Sequence, residues 1–483
     1  MLNPLGTMDE PSRVARLLIG GAWINGEATE TLRDRYSGDV FGQIGVATAA
    51  QVDTAVAGAC AAFVTDQIPP YKRFEILAKA AAIIASRKDV LVKCMTAEAG
   101  FTRTDGEGEV RRCAQTLELC AEEAKRIVGR MIPMEATPNL RNRMAFTLRV
   151  PKGVVCAITP YNSPLNTVAH KIGPALAAGN AVVLKPSEYT PLTAVHLCEA
   201  LLEAGLPAGL LSLVHGPGAQ VGRQLLADSR ITFYTFTGST RVGREIQQAA
   251  GLRGTQLELG SIASTIVCAD ADVAKAMPKL VGACFRKAGQ VCTSVQRIFV
   301  DSRIARAFTE QFVAQTKLLE VGDPALPGTV VGPMISVAQA QRAESWLREA
   351  VDKGARLLTG GTRNGAVLQP TVLTNVTADM RVVCEEIFAP VVSIIAFDEL
   401  DTAIDQANAT PYGLAVGLFT SSLTTAFDAA QRLQFGGIHI NETSSSRVDV
   451  MPFGGVKDSG FGREGPEHAI REMTEERLIT VAY

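Results

Sequence analysis

The sequence predicts an α/β protein: two parallel-sheet units with helices on both faces, and a small β excursion that leaves the first unit and returns. Three observations carry this expectation. Between residues 153 and 260, five short β-rich runs alternate with helical segments. A second alternating block follows from about 262 to 440. Residues 127–150, IVGRMIPMEATPNLRNRMAFTLRV, interrupt a helical region with prolines and then alternate, as a β segment does. Strands joined through helices must run parallel, with the helices packed on the sheet faces.

The elements follow in order. From about 70 to 126, RFEILAKAAAIIASRKDVLVKCMTAEAG and VRRCAQTLELCAEEAKRIVG place apolar residues at steps of three and four, the mark of helix faces. VVCAI (154–158) is the first strand of the regular region, with a helical segment to about 177. AVVLK (181–185) is the second, with a helix from Pro191 to about Ala204. LLSLVHG (210–216) is the third, with a helix from about 219 to 228; ITFYTF (231–236) is the fourth, with a helix from about Thr240 to Ala250. TQLEL (255–259) is the fifth. The second block closes with AVGLFTS, a helix through DAAQRLQ and the strand GGIHI. Residues 441–465 read as a polar, glycine-rich loop, and the final RLITVAY as a strand.

Composition narrows the function classes. With 47% hydrophobic and 20% charged residues, the 483-residue chain has ample core, and at about 150 residues per domain it predicts roughly three units. A net charge of −2 argues against a nucleic-acid partner. No apolar run reaches the roughly 18 residues of a membrane span, so no membrane partner is expected, and MLNPLGTMDEPSR lacks the apolar core of a signal peptide. The closest of the ten cysteines are seven residues apart, so no CxxC pair exists. Isolated thiols suit a reducing cytoplasm, the expected location. The five histidines have no metal-ligand spacing, and no metal is expected.

Four segments carry chemistry. In FTGSTRVG (236–243), Ser239 can cap a helix whose free amides after Gly238 favour a pyrophosphate. The turn from Gly216 through Gly218 to Gly222 offers a similar approach, although neither is the GxGxxG fingerprint and a plain β-to-α turn reads the same way. In AVVLKPSEYTP, Pro186 turns the chain out of the sheet and places Lys185, Ser187 and Glu188 at its ligand edge, unless the segment is simply a surface helix cap. A carboxylate there accepts from both ribose hydroxyls and repels a 2′-phosphate, which favours NAD; Ser187 beside Lys185 leaves NADP open. In AGQVCTSVQR, Cys292 stands in a polar turn, a candidate nucleophile or a solvent-facing structural thiol. In TQLELGS, Glu258 ends an apolar strand, where burial would tune it as a general base; the alternative is a strand-end carboxylate facing water or a cation.

These segments join others in a fixed order: PYNSPL (160–165), GNAVVLKPSEYTP (179–191), FTGST (236–240), LELG (257–260), GQVCTS (289–294), EEIFAPV (385–391) and PFGGVKDSGFGREG (452–465). Together, and with Glu258 and Cys292 34 positions apart, the chain resembles the aldehyde dehydrogenase superfamily. The resemblance implies that Cys292 attacks the aldehyde as a thiolate. Asn162 and the Cys292 N–H then hold the oxyanion, and Glu258 activates water against the thioester. It also implies that Lys185 and Glu188 hold the adenosine ribose, Ser239 the pyrophosphate, and Glu386 the nicotinamide ribose, with Phe388 near the ring. Ile158, Thr159 and Pro160, the glycines 218, 222 and 238, and Phe236 and Ser187 complete the expected cofactor set.

The same resemblance implies an NAD-binding domain (1–127 and 149–258), a catalytic domain (259–453) and an oligomerisation arm (128–148 and 470–483) of a homodimer or homotetramer. The nearest branch holds lactaldehyde, glyceraldehyde and phosphonoacetaldehyde dehydrogenases. Ser261 replaces a glycine common in the family, Tyr161 a common tryptophan, and Ser163 a histidine expected of the phosphonoacetaldehyde type. Tyr161, Ser163, Val291 and Thr293 are candidates for the substrate pocket. Arg112 and Arg447 are candidates for a guanidinium clamp on an anionic aldehyde; alternatively Arg112 pairs with Glu109, and Arg447 with Asp449 or water. A CoA-acylating or a catalytically silent member is the competing class. The presence of Glu258, Cys292 and Asn162 argues against both.

Overall fold

A computed structural model describes residues 14–138 and 140–483. The first thirteen residues, which carry the signal-peptide expectation, lie outside it, as does Asn139 in the excursion. Among the described residues, no helix is long and apolar enough to cross a membrane.

The five strands read in the regular region form the centre of one sheet. They are Val154–Ile158, Ala181–Lys185, Leu211–Leu213, Ile231–Thr237 and Gly254–Glu258, all parallel to one another. The third is shorter than the sequence suggested. The sheet has eight strands because short segments without a readable period extend its edges: Leu17–Ile19 pairs antiparallel with Leu211–Leu213, Ala22–Ile24 pairs with it in turn, and Gly460–Phe461 pairs antiparallel with Gly254–Glu258. The sheet is therefore mixed at both rims. Val154–Ile158 lies between Ile231–Thr237 and Ala181–Lys185, so the chain winds outward from it in both directions. The crevice above this reversal, at the carboxyl ends of the strands, is where such sheets bind ligands. Helix Asn166–Ala178 follows the central strand with all thirteen residues buried, which explains why it shows no amphipathic stripe.

Residues 259–262 carry the chain into a second, seven-stranded sheet. Its strands Ala263–Val267 and Val295–Asp301 are parallel neighbours, flanked by Ala415–Phe419 on one side and Val391–Phe397 on the other. Cys292 lies just before Val295–Asp301, and Glu258 ends the fifth parallel strand of the first sheet, so the two loops meet at one cavity. The excursion is a third, antiparallel sheet. Arg143–Pro151 pairs along its whole length with Thr474–Ala482, from Thr474 opposite Pro151 to Ala482 opposite Arg143. The C-terminal strand starts at Thr474 because helix Pro466–Glu472 precedes it. Its outer edge is unpaired among the described residues, and the strand exposes Leu478 and Val481.

Candidate active site

Three loops leaving the first sheet converge with two from the second around a cavity of about 280 Å³. The central strand supplies Pro160, Tyr161 and Asn162; the fourth strand supplies Thr237, Gly238 and Ser239; the fifth supplies Glu258, Leu259 and Gly260. Cys292, Glu386, Phe388 and Arg342 close the other side. The nucleophile loop is reached through Lys287 and Ala288, two consecutive non-glycine residues in the left-handed region (φ 51° and 52°). Phe388 is held there too, at φ 50°. Such residues persist only where their surroundings enforce the conformation, and they cluster at functional sites.

Glu258 and Cys292 share one electrostatic problem. Burial pushes the Cys292 thiol well above its ordinary value, the facing Glu258 carboxylate adds to this, and Arg447 opposes it. Burial likewise raises Glu258 to about 7, aided by Glu464 and opposed by Arg447 and Lys171. Among the described residues, Glu258 Oε1 is buried without a hydrogen-bond partner, while the carboxyl as a whole interacts with the Cys292 thiol. Behind it, and against the effect of burial, Lys171 (3.1 Å) and Arg447 (2.8 Å) hold Glu464 well below the usual carboxylate range. A fixed anion thus stands behind a carboxyl poised near neutrality, the condition for a general base.

The other half of the cavity suits a dinucleotide. Ser239 caps helix Thr240–Ala250 by accepting from Val242 N, so the hydroxyl proton and the first amides of the helix remain available to an anion. Gly238 has no room for a side chain, because a Cβ there would lie 2.5 Å from the Phe236 ring. Lys185 Nζ donates to Pro186 O, with the Glu188 charge nearby. Thr159 N donates to Lys185 O, while the buried Thr159 Oγ1 has no partner among the described residues. Gly218–Gly222 is a π-helical turn, and a Cβ at Gly218 or Gly222 would meet nothing within 4 Å, so both leave open space. Glu386 is raised to about 7 by burial and accepts from Ser261 N at 2.9 Å. A Cβ at Gly260 would press to 2.9 Å from the same carboxyl. Ser261 is buried with its Oγ unpartnered, and Ser459 Oγ binds Gly260 O, so the departure from glycine is absorbed without displacing Glu386 from the cavity. Orphaned buried oxygens, a capped helix start and ribose-type carboxylates are the donor and acceptor set that a nicotinamide dinucleotide needs.

On the substrate side the expected clamp is corrected. Arg112 makes a two-pronged pair with Asp449 (3.1 and 2.7 Å), and Arg447 pairs with Glu464, so both guanidiniums are already matched to carboxylates. Neither pairing is the one read from the sequence. Asp449 also lies 2.8 Å from His170 Nε2 and accepts from Asn166 Nδ2, a network that spans 337 residues of sequence. The Ser163 hydroxyl donates to Glu109, lying 2.9 Å from both of its oxygens. Val291 lines a small void with Ser261 and Phe388 rather than the cavity of Cys292. Ile158 ends its strand beside Lys185. Tyr161 packs edge-on against Tyr189 and Phe388 (5.8 and 6.2 Å).

Sequence reasoning missed Arg286 and Arg342. Arg286 follows helix Val273–Phe285 with extended backbone (φ −54°, ψ 145°), which turns it out of the helix path six residues before Cys292. Its Nη2 donates to Ser445 Oγ at 2.8 Å, and that hydroxyl lies 3.1 Å from Thr293 Oγ1. Its Nε is shielded from solvent with no partner, and among the described residues no carboxylate pairs with it. Arg342 lines the cavity, donates to Ile387 O and stacks over Trp346.

The aldehyde dehydrogenase family matches residues 23–479. The 3-sulfolactaldehyde dehydrogenase of Priestia aryabhattai is 47% identical over 466 residues, covering 95% of this chain and 98% of that protein. Aldehyde dehydrogenase 21 from Physcomitrella patens, solved with the reaction product succinate, superposes with a TM-score of 0.95 at 35% identity over 98% of both chains. Glyceraldehyde-3-phosphate dehydrogenase GapN from Methanocaldococcus jannaschii, solved with NADP, superposes with a TM-score of 0.92 at 38% identity, covering 95% of this chain and 100% of that one.

Proposed function

Because the chain belongs to the aldehyde dehydrogenase family, an NAD(P)-dependent oxidoreductase acting on aldehydes, we propose that its substrates are small aldehydes bearing an anionic group. The observation that carries this reading is Arg286: a buried guanidinium that forms no ion pair among the described residues, with Asp105 and Glu109 acting on it only from a distance, bonded to the Ser445 hydroxyl and close to Cys292. Burial lowers its proton affinity, and an anion brought by the substrate would supply the missing charge. The name of one relative specifies a sulfonated aldehyde, and the bound product of another is a dicarboxylate. Both fit the same chemistry.

In this reading Cys292 releases its thiol proton to solvent and adds to the carbonyl carbon as the thiolate, while Glu258 stays unprotonated for the second half. The Asn162 side-chain amide and the Cys292 N–H receive the negative charge that develops on oxygen. NAD(P), when bound, supplies the hydride acceptor that converts the adduct to a thioester. Glu258, poised near 7, then takes a proton from water, and the attack releases the acid and restores the thiol. Lys185, Glu188, Ser239 and Glu386 would hold the dinucleotide. The position of Glu188 beside Lys185 supports NAD over NADP. The exposed edge of Thr474–Ala482 supports assembly through the arm, because an open apolar strand edge is a liability in a monomer. Ten free thiols suit the cytoplasm.

The test follows NADH absorbance with neutral aldehydes (propionaldehyde, lactaldehyde) and anionic ones (succinic semialdehyde, phosphonoacetaldehyde, sulfoacetaldehyde), for the wild type and Arg286→Met. Anionic substrates should lead by tenfold or more in kcat/KM, about 1.4 kcal/mol, and the variant should lose that lead. A preference for neutral aldehydes, or one that Arg286→Met leaves intact, rejects the reading.

A further inference from the structure

Two buried ionisable groups beside the cavity have no part in the chemistry above. Lys287 and Glu109 form an ion pair of 2.8 Å with side-chain exposures of 9% and 2%. A buried pair of this kind is weak evidence for stability, because desolvation offsets most of the attraction. Its connections say more. Lys287 Nζ also donates to the backbone oxygen of Asn162 at 2.9 Å. Glu109, on helix Arg103–Ala124, accepts from Ser163 Oγ through both oxygens and from Asn166 N at 3.1 Å. One pair therefore grips both ends of the 162–166 loop and ties it to the segment that leads into Cys292. Lys287 achieves this from a left-handed backbone, with its ammonium 4.3 Å from the Phe101 ring centroid.

We infer that Lys287 and Glu109 are positioning residues that set the Asn162 amide relative to Cys292, so that formation of the oxyanion depends on this buried pair. The inference rests on the reading of Asn162 as the oxyanion donor. Ser163 belongs to the same device: its hydroxyl is committed to Glu109.

A double-mutant cycle on the rate of the NADH burst tests it, using the full-length enzyme with Lys287→Met, Asn162→Ala and the pair. Thermal melting and cofactor titration by fluorescence run alongside. Lys287→Met should slow the burst ten- to a hundredfold while the dinucleotide Kd stays within twofold. In the Asn162→Ala background, the same change should slow it by less than a further twofold. Ser163→Ala, a milder change that keeps the ion pair, should slow the burst by a few fold and show the same lack of additivity. Equal losses in both backgrounds would overturn the proposal, as would a wild-type burst in Lys287→Met. Should Lys287→Met fail to fold, the Ser163→Ala cycle decides by the same criterion. If Asn162→Ala alone leaves the burst unchanged, the oxyanion reading fails first, and the positioning role falls with it.

Discussion

Replacing Glu258 by Gln separates the two halves of the reaction and has a magnitude that follows from the site. The carboxyl is raised to about 7 by burial and the Glu464 charge. The base form is therefore about 9% populated at pH 6 and about 91% at pH 8. If hydrolysis limits turnover, wild-type kcat should rise about tenfold across that interval. A carboxyl of ordinary affinity would already be ionised at pH 6 and would give a flat profile. Glu258→Gln removes the base, so steady turnover should fall by about two to four orders of magnitude while one NADH per site still appears in a burst. Stopped-flow absorbance resolves burst amplitude and steady rate in one trace. The same substitution removes the neighbouring charge that helps to raise the Cys292 thiol, so alkylation of Cys292 at fixed pH should quicken. A variant with wild-type steady turnover, or a wild-type kcat flat from pH 6 to 8 with hydrolysis shown to be limiting, would refute the reasoning.

Three further outcomes are expected. Glu188→Gln should raise kcat/KM for NADP relative to NAD at least several fold, because a carboxylate that repels a 2′-phosphate is gone; steady-state kinetics with both cofactors checks this. Asp449→Asn should lower stability at neutral pH by about 2–3 kcal/mol, allowing for the partial exposure of Arg112, and should lower the melting temperature. Against the effect of burial, His170 and Arg112 hold Asp449 far below its ordinary value. Its contribution is therefore present above about pH 4 and lost as pH falls below that, so the variant should also lose part of the acid-side decline seen by scanning calorimetry. Leu478→Asp places a charge on the exposed arm strand and should shift the sedimentation coefficient toward the monomer without changing the far-ultraviolet spectrum.

The legible part of the fold was its buried, periodic part. The five central strands are short apolar runs separated by helices, and a parallel sheet covered on both faces needs that pattern. Leu17–Ile19, Ala22–Ile24 and Gly460–Phe461 have only two or three residues each, too few for a period; the first and last join the sheet through partners more than 180 residues away in sequence, and Ala22–Ile24 pairs onto Leu17–Ile19. The site divides the same way. Asn162, Ser239, Glu258, Cys292, Glu386 and Phe388 sit in recognisable segments at strand ends and meet in one cavity. The charges around them were not legible, because pairing is decided by tertiary approach. Arg112 finds Asp449 rather than Glu109 on its own helix, and Arg447 finds Glu464. Arg286 reaches the Ser445 hydroxyl and the charge of Cys292 because the chain leaves a helix in extended form and then turns through two left-handed residues, a path that no periodicity encodes.

The central claim is that Cys292 carries the acyl group between oxidation and hydrolysis. The most direct measurement is the intact mass of Glu258→Gln quenched in acid after mixing with a small anionic aldehyde and NAD, followed by peptide mapping. The account predicts an added mass equal to the acyl group of that aldehyde, near one per chain, located on the peptide containing Cys292 and absent from Cys292→Ala. An unmodified chain despite a full NADH burst, or an adduct on any other residue, would contradict it.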